Sequence, residues 1–133
     1  MEDVIELLQE SAQSVAFGLE LPDEDDLVMI EEELFIPLPS DLRLFLLELS
    51  NLVIGSLEPV TITDPQAHTH LPDVAANAWD IGVPRNLIPI CETAQGYYCI
   101  SEANEISLWQ GQQQTDDIWP SIWHWAKDVW LGS

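Results

Sequence analysis

Three short β-prone runs separated by polar turns follow one another within residues 86–109, NLIPICETAQGYYCISEANEISLW. Leu87–Cys91 is a compact apolar run, and Tyr97–Ile100 and Ile106–Trp109 are rich in aromatic and β-branched residues. The turn between the first two runs contains Gly96, which can adopt a positive φ, and a second polar break precedes the third run. The pattern predicts a β-meander of three antiparallel strands in one sheet, with no catalytic constellation inside it.

Helical patterns precede this meander. Met1–Phe17 carries apolar residues at spacings of three and four before Gly18, which predicts an amphipathic helix that ends at the glycine. A second helix is predicted from Pro22 to Leu34, because a proline followed by carboxylates suits the first turn of a helix. A third, strongly apolar helix covers Leu42–Leu49 and is predicted to be the central helix of the core.

The rest of the chain is predicted to pack around the meander. Leu57–Thr63 alternates apolar and polar residues, and Pro59 within it indicates an edge strand. Val74–Ile81 is predicted to be a short helix, and Gln110–Gln114 a loop. The last helix is predicted to begin at Asp116-Asp117-Ile118-Trp119-Pro120 and to carry most of the tryptophans. The prediction is one α+β domain over residues 1–133, an antiparallel β-meander sheet packed by N-terminal helices and a Trp-rich C-terminal helix.

An extreme charge balance restricts the partners of such a domain. The chain has 24 acidic and 3 basic residues, a formal charge of −21, yet 47% of its residues are hydrophobic, which indicates a packed core rather than disorder. This charge repels nucleic acid and anionic membrane surfaces, so a basic protein is the expected partner. No export signal or apolar run of membrane length is visible, so a cytoplasmic location is expected. Cys91 and Cys99 are interpreted as small core residues, with a cross-strand disulfide as the alternative.

Histidines provide only weak signals for chemistry. Asp64, His68, His70 and Asp73 lie within ten residues and could in principle hold zinc, but loop histidines without a defined scaffold are more often solvated. His124 is interpreted as a packing or capping residue, because no nucleophile or orienting acid is recognisable near it. No metal, cofactor or catalytic residue is predicted.

Carboxylates and tryptophans are the better candidates for binding a partner. A small domain needs a net charge of only about 2 to 8 for solubility, so the acidic excess favours a binding face over a merely solvated one. Partly exposed tryptophans can act as interface anchors. The candidate partner-binding residues are Asp23, Glu24, Asp25, Asp26, Glu31, Glu32, Trp119 and Trp123.

Four blocks carry a resemblance to a known family. They are LPSDLRLFL at Leu38–Leu46, GSLEP at Gly55–Pro59, LIPI at Leu87–Ile90 and GYYCI at Gly96–Ile100. In this order and spacing the chain resembles the Smi/Knr cell-wall assembly regulator-like family of the SUKH superfamily, over nearly its whole length. It departs from the family at Asn51-Leu52, where Asn-Gly is common. The resemblance implies an α+β fold with helices around an antiparallel sheet, and no catalytic residues.

The resemblance also implies a class of function. Bacterial members of the superfamily act largely as immunity proteins that neutralise toxins, many of them nucleases, and fungal relatives are regulatory interaction proteins. The leading hypothesis is a non-enzymatic immunity-type protein whose acidic face covers a basic toxin domain. The alternative is a regulatory scaffold with a non-toxin partner. A metal-dependent hydrolase using Asp64, His68, His70 and Asp73 is a third and weaker interpretation.

Overall fold

The computed structural model describes residues 2–13 and 20–133. The helices in this part of the chain are α1 (Glu2–Ser11), α2 (Glu24–Leu34), α3 (Ser40–Leu49), α4 (Leu71–Asp80) and α5 (Ile122–Trp125), which continues as a π-helical turn (Ala126–Trp130). The strands are β1 (Ile88–Glu92), β2 (Tyr97–Ile100), β3 (Ile106–Gln110) and β4 (Gln113–Trp119). The predicted α+β class is confirmed. None of the described helices is long and apolar enough to cross a membrane.

One antiparallel sheet has the strand order β1-β2-β3-β4, so the predicted three-stranded meander is present and one further strand extends it. The prediction was wrong for residues 110–119, which were assigned to a loop and to the start of a helix. A two-residue turn with Gly111 at φ 64° instead returns the chain from β3 into β4. The last helix begins only at Ile122, where the N–H of His124 donates to Oγ of the N-cap Ser121 (3.2 Å). The Nδ1 of His124 lies 2.7 Å from the same oxygen, so the exposed His124 ring contacts the cap residue while Ser121 itself provides the cap.

The predicted edge strand at Leu57–Thr63 is wrong. This segment lies beside β1, and the N–H of Val60 donates to the carbonyl of Ile90 (2.8 Å), but only isolated bridges form. Pro59 has no N–H to donate, and the N–H of Thr61 turns to the carbonyl of Thr69 (2.8 Å). Backbone hydrogen bonds shared between two different neighbours cannot continue as a single ladder.

Helix α3 is the centre of the core, as predicted. Its apolar stripe, which includes Phe45, is completely buried. The ring of Phe45 packs against Trp130 of the π-helical turn with a centroid distance of 5.5 Å, and Trp125 stacks on Trp130 at 6.5 Å. Trp125 also packs on Tyr98 of β2 with a centroid distance of 5.4 Å, so the C-terminal tryptophans join the helical layer to the sheet.

Helix α1 adds the buried Leu8 and the partly buried Ile5 to this core. The predicted N-terminal helix extended to Phe17 and Gly18, and that part of the prediction lies outside the described residues.

Both cysteines are buried free thiols, which agrees with the interpretation as core residues. They do not lie opposite each other, because Pro89 pairs with Cys99 and Cys91 pairs with Tyr98. Burial raises the pKa of Cys91 and of Cys99 to about 12.

Candidate functional site on helix α2

Helix α2 begins with a capping box that uses two of the candidate acidic residues. The N–H of Asp26 donates to Oδ1 of Asp23 (2.9 Å), and the N–H of Asp23 donates to Oδ2 of Asp26 (3.0 Å). Leu27, Ile30 and Leu34 then bury one side of the helix against the core. The carboxylates of Asp23 and Asp26 therefore stabilise the start of α2 in addition to any role at the surface.

Two further candidate acidic residues connect α2 to α3. Arg43 of α3 donates through Nη2 to Oε2 of Glu24 (2.8 Å) and through Nη1 to Oε1 of Glu31 (2.7 Å). The second oxygen of Glu31 accepts from the N–H of Leu38 (2.8 Å). Glu31 is half-buried, and its contacts hold the turn between the two helices.

The outward side of α2 combines carboxylates with exposed apolar side chains. We define the α2 face as Asp25, Val28, Met29, Glu32 and Phe35. The first four are spaced at i, i+3, i+4 and i+7, so they share one side of the helix, opposite the buried side. Val28 is 48% exposed, Met29 60% and Phe35 86%, and both carboxylates are exposed. Neighbouring exposed apolar side chains with a polar rim mark protein-binding surfaces, so the α2 face is a candidate for one.

Phe35 ends α2 in an unfavourable backbone conformation. It is the C-cap residue at φ 60° and ψ 22°, and its N–H donates to the carbonyl of Glu31 (3.0 Å). Glycine is favoured at this kind of position because a Cβ atom is strained there. A strained aromatic residue whose ring is almost entirely in solvent gains little from the fold, which motivates a functional role for the ring.

Positive charge beside α2 is already engaged in the fold. Arg43 is paired as described above, and Arg85 donates to the carbonyl of Leu34 (2.8 Å) while its guanidinium lies 3.6 Å above the ring of Trp79. The third basic residue, Lys127, is exposed on the π-helical turn. The carboxylates of Asp25 and Glu32 therefore contribute to a negative field at the α2 face.

The two candidate tryptophans lie elsewhere. Trp119 is half-buried at the end of β4 with its ring 5.6 Å from that of Tyr98. Trp123 is only 7% exposed and packs against Phe45 at 6.3 Å. The interpretation of Trp123 as an exposed anchor is therefore wrong, because its ring belongs to the core.

The weak metal pattern does not assemble into a site in the part of the chain that the structure describes, where no group of three or more His, Cys, Asp or Glu residues could hold an ion. His68 is exposed and its Nε2 lies 2.6 Å from Oε2 of Glu58, whereas His70 is buried at the start of α4. An oxygen of Asp64 accepts from the N–H of Gln66 (2.9 Å). The two histidines thus have different surroundings.

Sequence reasoning overlooked the apolar members of the α2 face. The sequence contains a signal for them, because the helical spacing of Val28 and Met29 between Asp25 and Glu32 places all four residues on one side of the predicted helix. Phe35 gave no such signal, since its exposure depends on the turn that follows the helix.

Comparisons with known proteins agree with this architecture. A crystal structure of a protein from Pseudomonas syringae pv. tomato superposes with a TM-score of 0.96 at 56% sequence identity, with all of both chains covered. No curated protein matches the chain. Residues 1–131 match the family SUKH_5, described as SMI1-KNR4 cell-wall, which confirms the resemblance inferred from the sequence. The chain therefore belongs to the SMI1-KNR4 family of the SUKH group.

Proposed function

We propose that this protein is an immunity-type protein that neutralises a basic toxin, for example a nuclease, by covering it with the α2 face. The observation that carries the proposal is the stripe of two carboxylates and two exposed apolar side chains along one side of α2, with the exposed ring of Phe35 at the C-terminal end of the helix. Family membership supports a binding role, and the charge of −21 supports a basic partner.

The physical logic has two parts. A protein site built to hold phosphate is electropositive, so exposed carboxylates can occupy it in place of the substrate and accelerate the encounter through long-range attraction. Val28, Met29 and Phe35 then supply the desolvated contacts that slow dissociation. Charge governs association in this arrangement, and apolar burial governs the lifetime of the complex.

The test begins with the gene beside the one that encodes this chain. If that gene encodes a toxin with a basic C-terminal domain, the domain is expressed in bacteria with and without this protein, and growth is measured. We expect co-expression to restore growth. Failure to restore growth while both proteins are produced would refute neutralisation of that toxin.

Association kinetics then locate the face. In stopped-flow measurements across a salt series, Asp25→Asn with Glu32→Gln should lower the on-rate and flatten its salt dependence, because the variant lacks charges whose attraction salt would screen. The screening length falls from about 10 Å at 0.1 M salt to about 3 Å at 1 M salt. Asp26 and Glu31 are left intact because they stabilise α2. The matched control is Asp116→Asn with Asp117→Asn on β4, which removes the same charge from another exposed position. Equal on-rates for the two double variants at low salt would refute the assignment of this face.

A further inference from the structure

A pocket of about 160 Å³ opens at the C-terminal end of α2. It lies between the turn at residues 35–39 that follows α2, the start of β1 at Ile88 and the turn between β2 and β3 at Glu102. Phe35 belongs both to the wall of this pocket and to the α2 face. A partner that covers the α2 face can therefore reach the pocket as well.

The wall of the pocket is largely hydrocarbon that solvent reaches. Phe35 and Pro37 are exposed, and Ile36 and Pro39 are half-buried. An incoming side chain can therefore contact all four, whereas Ile88 is the buried member of the lining. The two proline rings fix φ, so this part of the wall needs no ordering when a ligand arrives.

The volume of the pocket corresponds to one phenyl ring. An apolar cavity of about 150 Å³ lined by aliphatic and aromatic side chains binds benzene. The pocket, at about 160 Å³, has room for a ring of that size. A ring inside it would also lie beside the ring of Phe35, and a pair of aromatic rings gains more than its buried area alone provides. A methyl group would leave most of this volume to water.

Carboxylates lie next to this apolar wall. Glu102 belongs to the lining and is exposed, and Glu32 lies one turn before Phe35 on α2. Arg85 offsets part of this charge, and its guanidinium is engaged with the carbonyl of Leu34. Two copies of a chain with a formal charge of −21 repel each other, which disfavours a second copy as the occupant. A basic partner is attracted instead.

We propose that this pocket binds a phenylalanine side chain of the basic partner, one that is flanked by lysine or arginine in the partner's sequence. This inference rests on the proposed function and names the side chain by which the partner is recognised. The ring enters the pocket and loses its water, while the flanking cations stay at the surface near Glu102 and Glu32. An aromatic anchor in a pocket with a polar rim is the arrangement that concentrates binding energy in a protein interface.

The experiment uses a short peptide in place of the unidentified partner. The protein is titrated with acetyl-Lys-Phe-Lys-amide, and the NMR signals of the methyl groups of Ile36 and Ile88 are followed. Acetyl-Lys-Ala-Lys-amide has the same charge and is the control probe, and acetyl-Lys-Leu-Lys-amide tests the choice of an aromatic ring. We expect saturable shifts with the phenylalanine peptide, weaker binding of the leucine peptide, and no comparable shifts with the alanine peptide.

Variants test the two parts of the pocket. Phe35→Ala should weaken the phenylalanine peptide by at least about threefold, because the aromatic pair is lost. Val28→Ala also removes exposed hydrocarbon from α2 but lies outside the pocket, so it is the matched control and should leave peptide binding unchanged. Glu102→Gln should weaken binding by about twofold, since exposed charge pairs contribute modestly. Its matched control is Glu105→Gln, in the same turn but outside the lining.

Three results would overturn the phenylalanine pocket. They are equal shifts with the alanine peptide, binding of the leucine peptide as tight as that of the phenylalanine peptide, and unchanged affinity in Phe35→Ala. These results are distinct from failure of the proposed function, which is judged by growth rescue and by the on-rate of the variants at Asp25 and Glu32. A protein that neutralises its toxin but ignores the phenylalanine peptide would refute the pocket alone.

Discussion

Replacing Phe35 with glycine separates what this residue does for the fold from what it does for binding. The left-handed conformation costs a non-glycine residue roughly 1 to 2 kcal/mol. Glycine recovers this cost but loses more backbone entropy on folding, by roughly 0.5 to 1 kcal/mol relative to alanine. The ring is 86% exposed, so its removal sacrifices little buried area. Phe35→Gly should therefore raise the free energy of unfolding by about 0.75 kcal/mol, the difference between the midpoints of these two ranges.

Thermal and urea unfolding measure this effect. For a chain of 133 residues, a gain of that size corresponds to a rise in Tm of roughly 2 to 4 °C. Phe35→Ala is the matched control, because it removes the same ring but keeps a Cβ atom in the left-handed conformation. Its stability should stay within about 0.5 kcal/mol of the wild type, since the position lies on the surface.

Binding should change in the opposite sense. Both variants lose the exposed ring, so both should bind the partner at least about tenfold more weakly, as expected for truncation of an aromatic anchor. A glycine variant less stable than the wild type would refute the strain argument. A more stable glycine variant with unchanged affinity would leave the strain argument intact and remove Phe35 from the proposed interface.

Two further predictions concern the core. Phe45→Ala should lower the free energy of unfolding by about 3 to 5 kcal/mol in urea titrations, because the fully buried ring packs on Trp123 and Trp130. A loss below about 1 kcal/mol would show that the core closes the cavity without cost. The free energy of unfolding should also fall as the pH rises from 9 towards 10. The cysteine thiols ionise near pH 9 in the unfolded state, whereas burial raises their pKa to about 12 in the folded state, so only the unfolded state loses thiol protons in this window. The pKa values of Tyr97 and Tyr98 in the folded state are also raised and lie above this window. Urea unfolding at pH 8, 9 and 10 measures this dependence, and a Cys91→Ala variant with the same pH dependence as the wild type would contradict it.

The sequence by itself determined the local elements whose signals lie close together along the chain. The carboxylates after Pro22 predicted the start of α2, and its capping box is formed by Asp23 and Asp26. The alternation of β-prone runs and turns predicted β1, β2 and β3. Helix α3 and its buried stripe followed from helical periodicity. These features are local because capping, turn and period signals act within a few residues.

Signals that compete locally produced the errors. Asp116 and Asp117 resemble the first turn of a helix, but β3 offers an open edge and Gly111 supplies the positive φ that a tight return requires, so the segment pairs as β4. Residues 57–63 alternate like a strand, but the structure divides their hydrogen bonds between β1 and the segment before α4. The backbone hydrogen-bond partners of these two segments depend on where the other strands lie, which the local sequence does not report.

Tertiary structure alone decided which acidic and aromatic residues are available to a partner. Arg43, from the next helix, engages Glu24 and Glu31, and Phe45 helps to bury Trp123. Phe35 and Glu102 meet at one pocket although they are far apart in the sequence. The exposure of a side chain and its ion pairs depend on every segment that packs against the residue. Sequence periodicity reports only the residue's neighbours along its own helix or strand. The candidate surface could therefore be assigned only from the folded chain.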